Sequence, residues 1–368
     1  MRKVLHYKTN YLNKSETFID RLVRNHHEFE PVILCCQKLD FTDDLNIHEL
    51  PKYGLESVFN RAAFHLNFSL PWFKKLIQHE KPALIHAHFG YDSYKLLSIS
   101  RETDIPLITS FYGSDVSRLP TEWGWNSRYR RLAEFGAAFI AASDYMKSQL
   151  VRLGFPERKI HVVRFGLNVA ELDFFDGNRD TSAVMMVGRL VEKKGFEYGI
   201  KAASKLIKKG SQIRLNIYGD GPLMESLQDL VMQLETEEAI WFHGFQPIET
   251  IVRAHHQHTL LLAPSVTATD GDMEGLPNTI LEAMAKGTLI VASRHAAIPE
   301  AVIHGSTGFL TDEKDVDGIA KTLESVLDKR SDMDSIRKQA RKTIERDYNI
   351  QKMVADVENI YKTTLPGS

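Results

Sequence analysis

Ala183-Val184-Met185-Met186-Val187-Gly188-Arg189-Leu190-Val191-Glu192-Lys193-Lys194-Gly195-Phe196 is the stretch on which the fold turns. An unbroken apolar run ends at a glycine, and a polar loop follows. A periodic segment then begins at Phe196 and ends in Lys208-Lys209-Gly210, a basic last turn followed by a C-cap glycine. A run without polar alternation reads as a strand buried on both faces, the mark of a parallel sheet covered by helices.

The same unit recurs on both sides. Upstream strand candidates are Lys3–Tyr7, Val32–Cys36, Ala83–Phe89, Leu107–Tyr112, Ala138–Ala142 and Ile160–Arg164. Downstream are Arg214–Tyr218, Ile240–His243, Thr259–Pro264 and Leu289–Ser293. Helical patterns lie between them. Pro222–Leu234 and Pro277–Lys286 each start with proline at a first helical position, and the second ends at Gly287. Strand–helix alternation in two series predicts an α/β protein of two doubly wound, Rossmann-like domains. At 368 residues the chain has length for two. The turn-rich stretch Asp173–Ser182 sets the expected boundary: an N-terminal domain over 1–175, a C-terminal domain over 176–348, and a closing helix over 349–368.

Composition narrows the function. A net charge of −2 argues against a nucleic-acid binder. The two cysteines, Cys35 and Cys36, are sequence neighbours in an apolar run, so two buried thiols and a reducing compartment are expected. The N-terminal apolar stretch is too short for a signal peptide, and no window reaches the ~18 apolar residues of a membrane span. A cytoplasmic protein is expected. Phe59–Lys75 mixes Arg61, His65, Lys74 and Lys75 with Phe64, Leu66, Phe68, Trp72 and Phe73. It reads either as a packed amphipathic helix or as a peripheral contact with an anionic inner-membrane leaflet.

Chemistry concentrates in the second half. Gly188 lets backbone approach a ligand, and Arg189 and Lys194 suit a diphosphate, one as a planar fork and one as a point charge. In Glu274-Gly275-Leu276-Pro277-Asn278-Thr279-Ile280-Leu281-Glu282, two carboxylates flank a helix start, where N–H groups near Gly275 and Leu276 offer an anion site. Glu274 and Glu282 can accept hydrogen bonds from hydroxyls at opposite ends of an elongated ligand. Gly219-Asp220-Gly221-Pro222 lacks the third glycine of a dinucleotide fingerprint and reads equally as a tight turn or a ligand contact. Asp270-Gly271-Asp272 has the look of a metal-binding Asp-x-Asp, but Arg189, Lys194 and a helix end already supply positive potential, so no metal is expected.

In the first half, His86 and His88 should share one side of their strand, with no third metal ligand evident. His88, at the strand end, and the following Phe111-Tyr112-Gly113-Ser114-Asp115 are candidates for substrate contact and catalysis; Asp115 reads as a group that orients a donor or accepts the acceptor's proton, or as a cap on the following turn.

These motifs, with Ser15-Glu16-Thr17-Phe18-Ile19 and His86-Ala87-His88-Phe89-Gly90, resemble glycosyltransferase family 4, retaining enzymes of the GT-B architecture, and especially the colanic-acid and amylovoran type. The resemblance implies two domains facing a cleft, an acceptor-binding N-terminal domain, a donor-binding C-terminal domain, and a last helix returning to the first. It implies that Arg189 and Lys194 hold the donor diphosphate, Glu274 the transferred sugar and Glu282 the ribose, with backbone at Gly244-Phe245 against the base. The expected partners are a UDP- or GDP-linked sugar and a glycan or lipid-linked glycan, with no nucleic acid and no cofactor beyond the donor. Many relatives carry a catalytic histidine where this chain has Tyr112. A nucleotide-sugar epimerase and a binding protein without turnover are the alternatives; products formed from donor alone distinguish them from a transferase.

Overall fold

The computed structural model describes residues 1–12, 16–39, 44–50, 71–328 and 333–365. They form two compact units, Met1–Gly166 with Asn349–Ser368, and Leu167–Tyr348. The units part before the predicted boundary at residue 175. Residues beyond Gly166 are bound into the second unit: the Arg341 guanidinium donates to the carbonyls of Val169 and Leu172, and Arg337 donates to that of Phe175. These arginines lie in the helix Asp334–Asp347, so the tie was invisible locally.

The first unit holds a parallel sheet in the order β3-β2-β1-β4-β5-β6-β7. Its strands are β1 (Arg2–Tyr11), β2 (Phe29–Lys38), β3 (Ile47–Glu49), β4 (Leu84–His88), β5 (Leu107–Phe111), β6 (Ala138–Ala141) and β7 (Ile160–Val162). The second unit holds β8 (Asp180–Val187), β9 (Arg214–Tyr218), β10 (Ile240–Phe242), β11 (His258–Ala263), β12 (Leu289–Ser293) and β13 (Phe309–Thr311), in the order β10-β9-β8-β11-β12-β13. All described pairings within both sheets are parallel. The short edge strands β3 and β13 were not expected from sequence.

Successive residues such as Leu260, Leu261 and Leu262 are all buried, so helices cover both faces. Each such side chain contributes about 1.5–3 kcal/mol. Cys35 is buried, but Cys36 only partly so, because neighbours on a strand point to opposite faces. The helix opening at Pro277 starts one residue later than expected: Pro277 is the N-cap, with ψ 127°, of helix Asn278–Lys286. Gly287 terminates it in the left-handed conformation, φ 73°. The C-terminal helix Ile350–Thr364 packs in the first unit, with Ile350, Val354, Val357 and Tyr361 in the same apolar cluster as Val4, Ile108 and Ile140.

In each sheet the first strand sits between its successor and the strand that begins the reverse winding: β1 between β2 and β4, β8 between β9 and β11. The loops leaving such a pair diverge to opposite faces and open a crevice at the carboxyl ends of the strands, where ligands bind in open α/β sheets. Among the described residues no helix is long and apolar enough to cross a membrane. Of the stretch Phe59–Lys75, residues up to 70 lie outside the described part; within the rest, Phe73 is buried and Lys74 pairs with Glu102 at 2.8 Å.

Candidate functional site

The Gly188–Gly195 loop leaves β8, and the loop 264–277 leaves the neighbouring β11, so the two charged motifs share the switch point of the second sheet. Backbone contacts weld them together. The Val266 N–H donates to the Lys193 carbonyl at 2.9 Å. Glu192 accepts from both the backbone N–H and the hydroxyl of Thr269, at 3.0 and 2.8 Å. Gly195, at φ 66°, allows a close pass, since a Cβ there would lie 1.8 Å from the Pro264 carbonyl oxygen.

The turn at Gly219 meets the same loop. The Gly188 N–H donates to the Tyr218 carbonyl, and the Leu190 N–H to that of Asp220. A Cβ on Gly219 would lie 1.8 Å from the Gly188 carbonyl oxygen, and one on Gly221 would press on Leu190 backbone at 2.6 Å. These glycines serve backbone-to-backbone packing, the structural member of the two readings left open above.

Glu274 sits between two lysines. Its Oε2 is 3.1 Å from Lys194 Nζ and its Oε1 is 3.8 Å from Lys193 Nζ. Burial alone would raise its carboxyl, but Lys194 and Lys193 outweigh it and hold the group below the ordinary carboxylate value. Lys194 lies along Gly188, its Cε 3.3 Å from where a Cβ would stand. Lys193 also pairs with Asp272 at 3.0 Å, while Asp270 accepts from the Asp272 N–H at 2.9 Å. The Asp-x-Asp segment is thus a turn closed on itself and neutralised by a lysine. Arg189 is exposed and forms no ion pair among the described residues.

Two residues that sequence reading missed position Glu274. Its N–H donates to His295 Nε2 at 3.1 Å; that nitrogen therefore carries no proton. His295 Nδ1–H donates to Glu313 Oε1 at 2.7 Å, and Glu313 Oε2 accepts the Thr267 N–H at 2.9 Å. His295 follows β12 and Glu313 follows β13, so two strand ends brace the loop from Thr267 to Glu274. Their place just after strands was the available signal, and the unread β13 hid Glu313.

Gly275 and Leu276 precede the helix start, with Leu276 buried. Glu282 is half-buried on the helix, beside Lys286. Gly244, at φ 66°, accepts the Gly219 N–H through its carbonyl at 2.8 Å, which ties the Gly244-Phe245 turn to the same corner. Phe245 is exposed, 66% of its surface free.

The first unit's switch point is built differently. Lys8 is buried against Asp92 at 3.4 Å and Glu16 at 3.5 Å. It also donates to the Tyr91 hydroxyl at 3.0 Å. Phe89, at the end of β4, takes φ 75°, a conformation rare for a side-chain-bearing residue. Asp115 is buried, accepting N–H bonds from Gly113 at 2.9 Å, Tyr112 at 3.1 Å and Gly90 at 3.1 Å. Burial raises its carboxyl and these donors only partly offset that. Of its two readings, this geometry is that of a brace between the turns after β4 and β5. His88 and Tyr112 also point inward: the Tyr112 hydroxyl lies 2.7 Å from His88 Nδ1. The third member of the histidine cluster is His6, level with His86 on the neighbouring strand. One ring nitrogen from each of the three falls within 4.8 Å of the others.

Comparison with known proteins agrees with this division. Residues 15–171 match the model of Glycosyltransferase Family 4, and 171–343 that of Glycosyl transferases group 1. WcaL from Salmonella typhimurium, a glycosyltransferase named for colanic acid biosynthesis, is 31% identical over 288 residues, 75% of this chain and 70% of WcaL. The chain belongs to glycosyltransferase family 4. The amylovoran biosynthesis glycosyltransferase AmsK of Erwinia amylovora, similar to this family 4 chain, is 32% identical over 267 residues, 71% of the chain and 65% of AmsK. The fold is GT-B: HepE from Anabaena, solved in complex with UDP, superposes with a TM-score of 0.80 at 16% identity, covering 99% of this chain and 100% of HepE. HepE has also been solved with UDP-glucose.

Proposed function

We propose that this family 4 glycosyltransferase takes a nucleoside diphosphate sugar at the β8/β11 switch point and transfers the sugar, with retention of configuration, to a hydroxyl of a glycan or lipid-linked glycan in exopolysaccharide assembly. The observation that carries the reading is the junction of the Gly188–Gly195 loop with the loop bearing Glu274, with lysines on both sides of that carboxylate. Departure of a diphosphate develops negative charge, and Arg189, Lys194 and the N–H groups at Gly275 and Leu276 are the groups to stabilise it. Glu274, ionised and braced by His295, accepts from hydroxyls of the transferred sugar. Glu282 takes the ribose, and the Gly244-Phe245 turn flanks the base.

Retention is what the family resemblance implies, and the names of WcaL and AmsK support an exopolysaccharide acceptor. HepE supports uridine as the first base to try. The proposal needs no metal, because Asp272 is engaged by Lys193 and the cations already oppose the leaving charge. It places the reaction on the cytoplasmic side, with Phe59–Lys75 as the stretch to test for contact with anionic vesicles. Asp115, His88 and Tyr112 shape the acceptor unit from within.

The test is nucleotide binding by thermal shift, since a ligand of the folded state raises its stability. UDP or GDP should raise the midpoint of the wild type. Arg189→Ala and Glu282→Ala should each weaken binding about tenfold, the scale of one charge-assisted hydrogen bond. Unchanged affinity in both variants would place the donor elsewhere.

A further inference from the structure

A line of ring nitrogens crosses the first unit from the C-terminal helix to the turn after β5. Glu358 Oε1 lies 3.2 Å from His26 Nδ1. His26 Nε2 lies 3.0 Å from His6 Nε2, His6 Nδ1 lies 3.1 Å from His88 Nε2, and His88 Nδ1 lies 2.7 Å from the Tyr112 hydroxyl. The three histidine side chains are buried. Burial, reinforced by neighbouring histidines, pushes His6 and His88 well below the ordinary imidazole value. Burial also lowers His26, although Glu358 opposes it. For Glu358, burial acts upward but is outweighed by the N–H groups of Glu28 and His27 and by His26, so the carboxyl stays ionised.

A neutral imidazole carries one proton, and an ionised carboxylate only accepts. Those two facts leave one arrangement. His26 must donate from Nδ1 to Glu358, which makes its Nε2 an acceptor. His6 then donates from Nε2 and accepts at Nδ1. His88 donates from Nε2 to His6 and accepts at Nδ1, so Tyr112 is the donor at the far end. The chain has a single direction, set by Glu358. The side branch differs: His86 meets the Tyr361 hydroxyl at 2.6 Å and the Ser110 hydroxyl at 2.7 Å, and hydroxyls either donate or accept. Nothing there selects a tautomer.

We infer that Glu358 is a positioning residue: through His26, His6 and His88 it locks the Tyr112 hydroxyl in one orientation and so holds the Tyr112–Asp115 turn. The inference rests on the reading that the first unit serves the acceptor. It gives the C-terminal helix a task beyond covering the sheet. The same turn is held from its other side by Asp115, whose carboxylate bonds the N–H groups of Tyr112, Gly113 and Gly90. His6, His86 and His88 also have the make-up of a three-histidine metal site. The proton shared between His6 and His88 at 3.1 Å would have to leave before an ion entered, and the chain as it stands satisfies both nitrogens.

The decisive measurement is long-range proton–nitrogen NMR on the full chain labelled at histidine, near pH 7.5, with assignment by single histidine-to-glutamine variants. The expected pattern is Nδ1–H at His26 and Nε2–H at His6 and His88, all neutral. An Nδ1–H or cationic His88 would overturn the inference, as would a stoichiometric metal ion in the purified protein that abolishes the His6 and His88 ring protons. Glu358→Leu removes the oxygen on which His26 Nδ1 and the N–H groups of His27 and Glu28 converge, so nothing then fixes the His26 tautomer. It should lower kcat on the order of 10- to 100-fold, the effect of a small misplacement far from the chemistry. Nucleotide affinity should stay unchanged, and Glu358→Asp should recover part of the rate. Unaltered kcat and tautomers in Glu358→Leu would defeat the proposal. The tautomers are read without substrate, so an error in the donor assignment appears separately, in the Arg189 and Glu282 variants.

Discussion

The two units share one winding and use its switch point in opposite ways. At β8/β11 the charged groups stand at the rim: Arg189 is exposed, and Lys193 and Lys194 share Glu274 while partly open to solvent. At β1/β4 the charges are turned inward: Lys8 is enclosed by Asp92 and Glu16, and Asp115 is spent on backbone N–H groups. Positive charge at a rim can be lent to an incoming anion. Charge sealed beneath a loop instead fixes the loop, because separating a buried pair leaves an uncompensated ion. A polar residue after a parallel strand is therefore no evidence of ligand contact until its partners are known.

The sharpest way to break this contrast is Glu274→Gln. If Glu274 serves the transferring sugar, kcat should fall roughly 100-fold, the loss of one group placed for the transition state. Nucleotide affinity should hold or rise, since Lys193 and Lys194 lose their internal anion. Steady-state rates beside direct UDP titration check this, and a wild-type rate would dismiss the role.

Asp115→Asn probes the other side and should cost stability rather than chemistry. Asp115 Oδ1 takes the Tyr112 and Gly113 N–H groups and Oδ2 that of Gly90, so an amide places a donor against a donor. The expected loss is about 1–3 kcal/mol, read as a lower denaturation midpoint, with nucleotide affinity intact. Full stability together with lost turnover would mean that the carboxylate acts chemically after all.

The pH dependence probes the same contrast without a substitution. In the first unit His6, His26, His86 and His88 have lowered folded-state pKa values, and burial puts His86 at about 3. Unfolded histidine takes its proton near 6.5. Between that value and the folded ones the unfolded chain binds more protons, so stability is full above pH 6.5 and declines as pH falls. His161 is lowered too, and the second unit has His255, also about 3, with His243, His256 and His258 lowered by burial, but only His258 of these lies on β8 or β11, whereas His6, His86 and His88 all lie on β1 or β4. Hydrogen exchange at pH 7.5 and 5, corrected for intrinsic rates, should show the larger loss of protection in β1 and β4. An equal loss in β8 and β11 would contradict the contrast.

Much of the architecture was readable because strands buried on both faces appear as unbroken apolar runs, and Arg214–Tyr218 and Leu289–Ser293 begin and end where expected. The edge strands β3 and β13 escaped because Ile47-His48-Glu49 and Phe309-Leu310-Thr311 offer at most two apolar residues in a row, whereas the equally short β10 is apolar throughout and β7 runs on into Val163. The donor loops were legible because glycine and charge lie together in sequence. The histidine line was not: Glu358 is 332 residues from His26, and an isolated histidine in a strand announces nothing about its neighbour across the sheet. The bracing pair His295 and Glu313 was hidden in the same way.

The glycines at 219 and 221 have one more implication. Peptide planes of two neighbouring turns touch there without any side chain between them. The two turns therefore stand on an incompressible footing, and an exposed residue such as Phe245 can be exchanged while the footing stays still. A single methyl group at either glycine would act as a wedge, prising the Gly188–Leu190 backbone away from its neighbour.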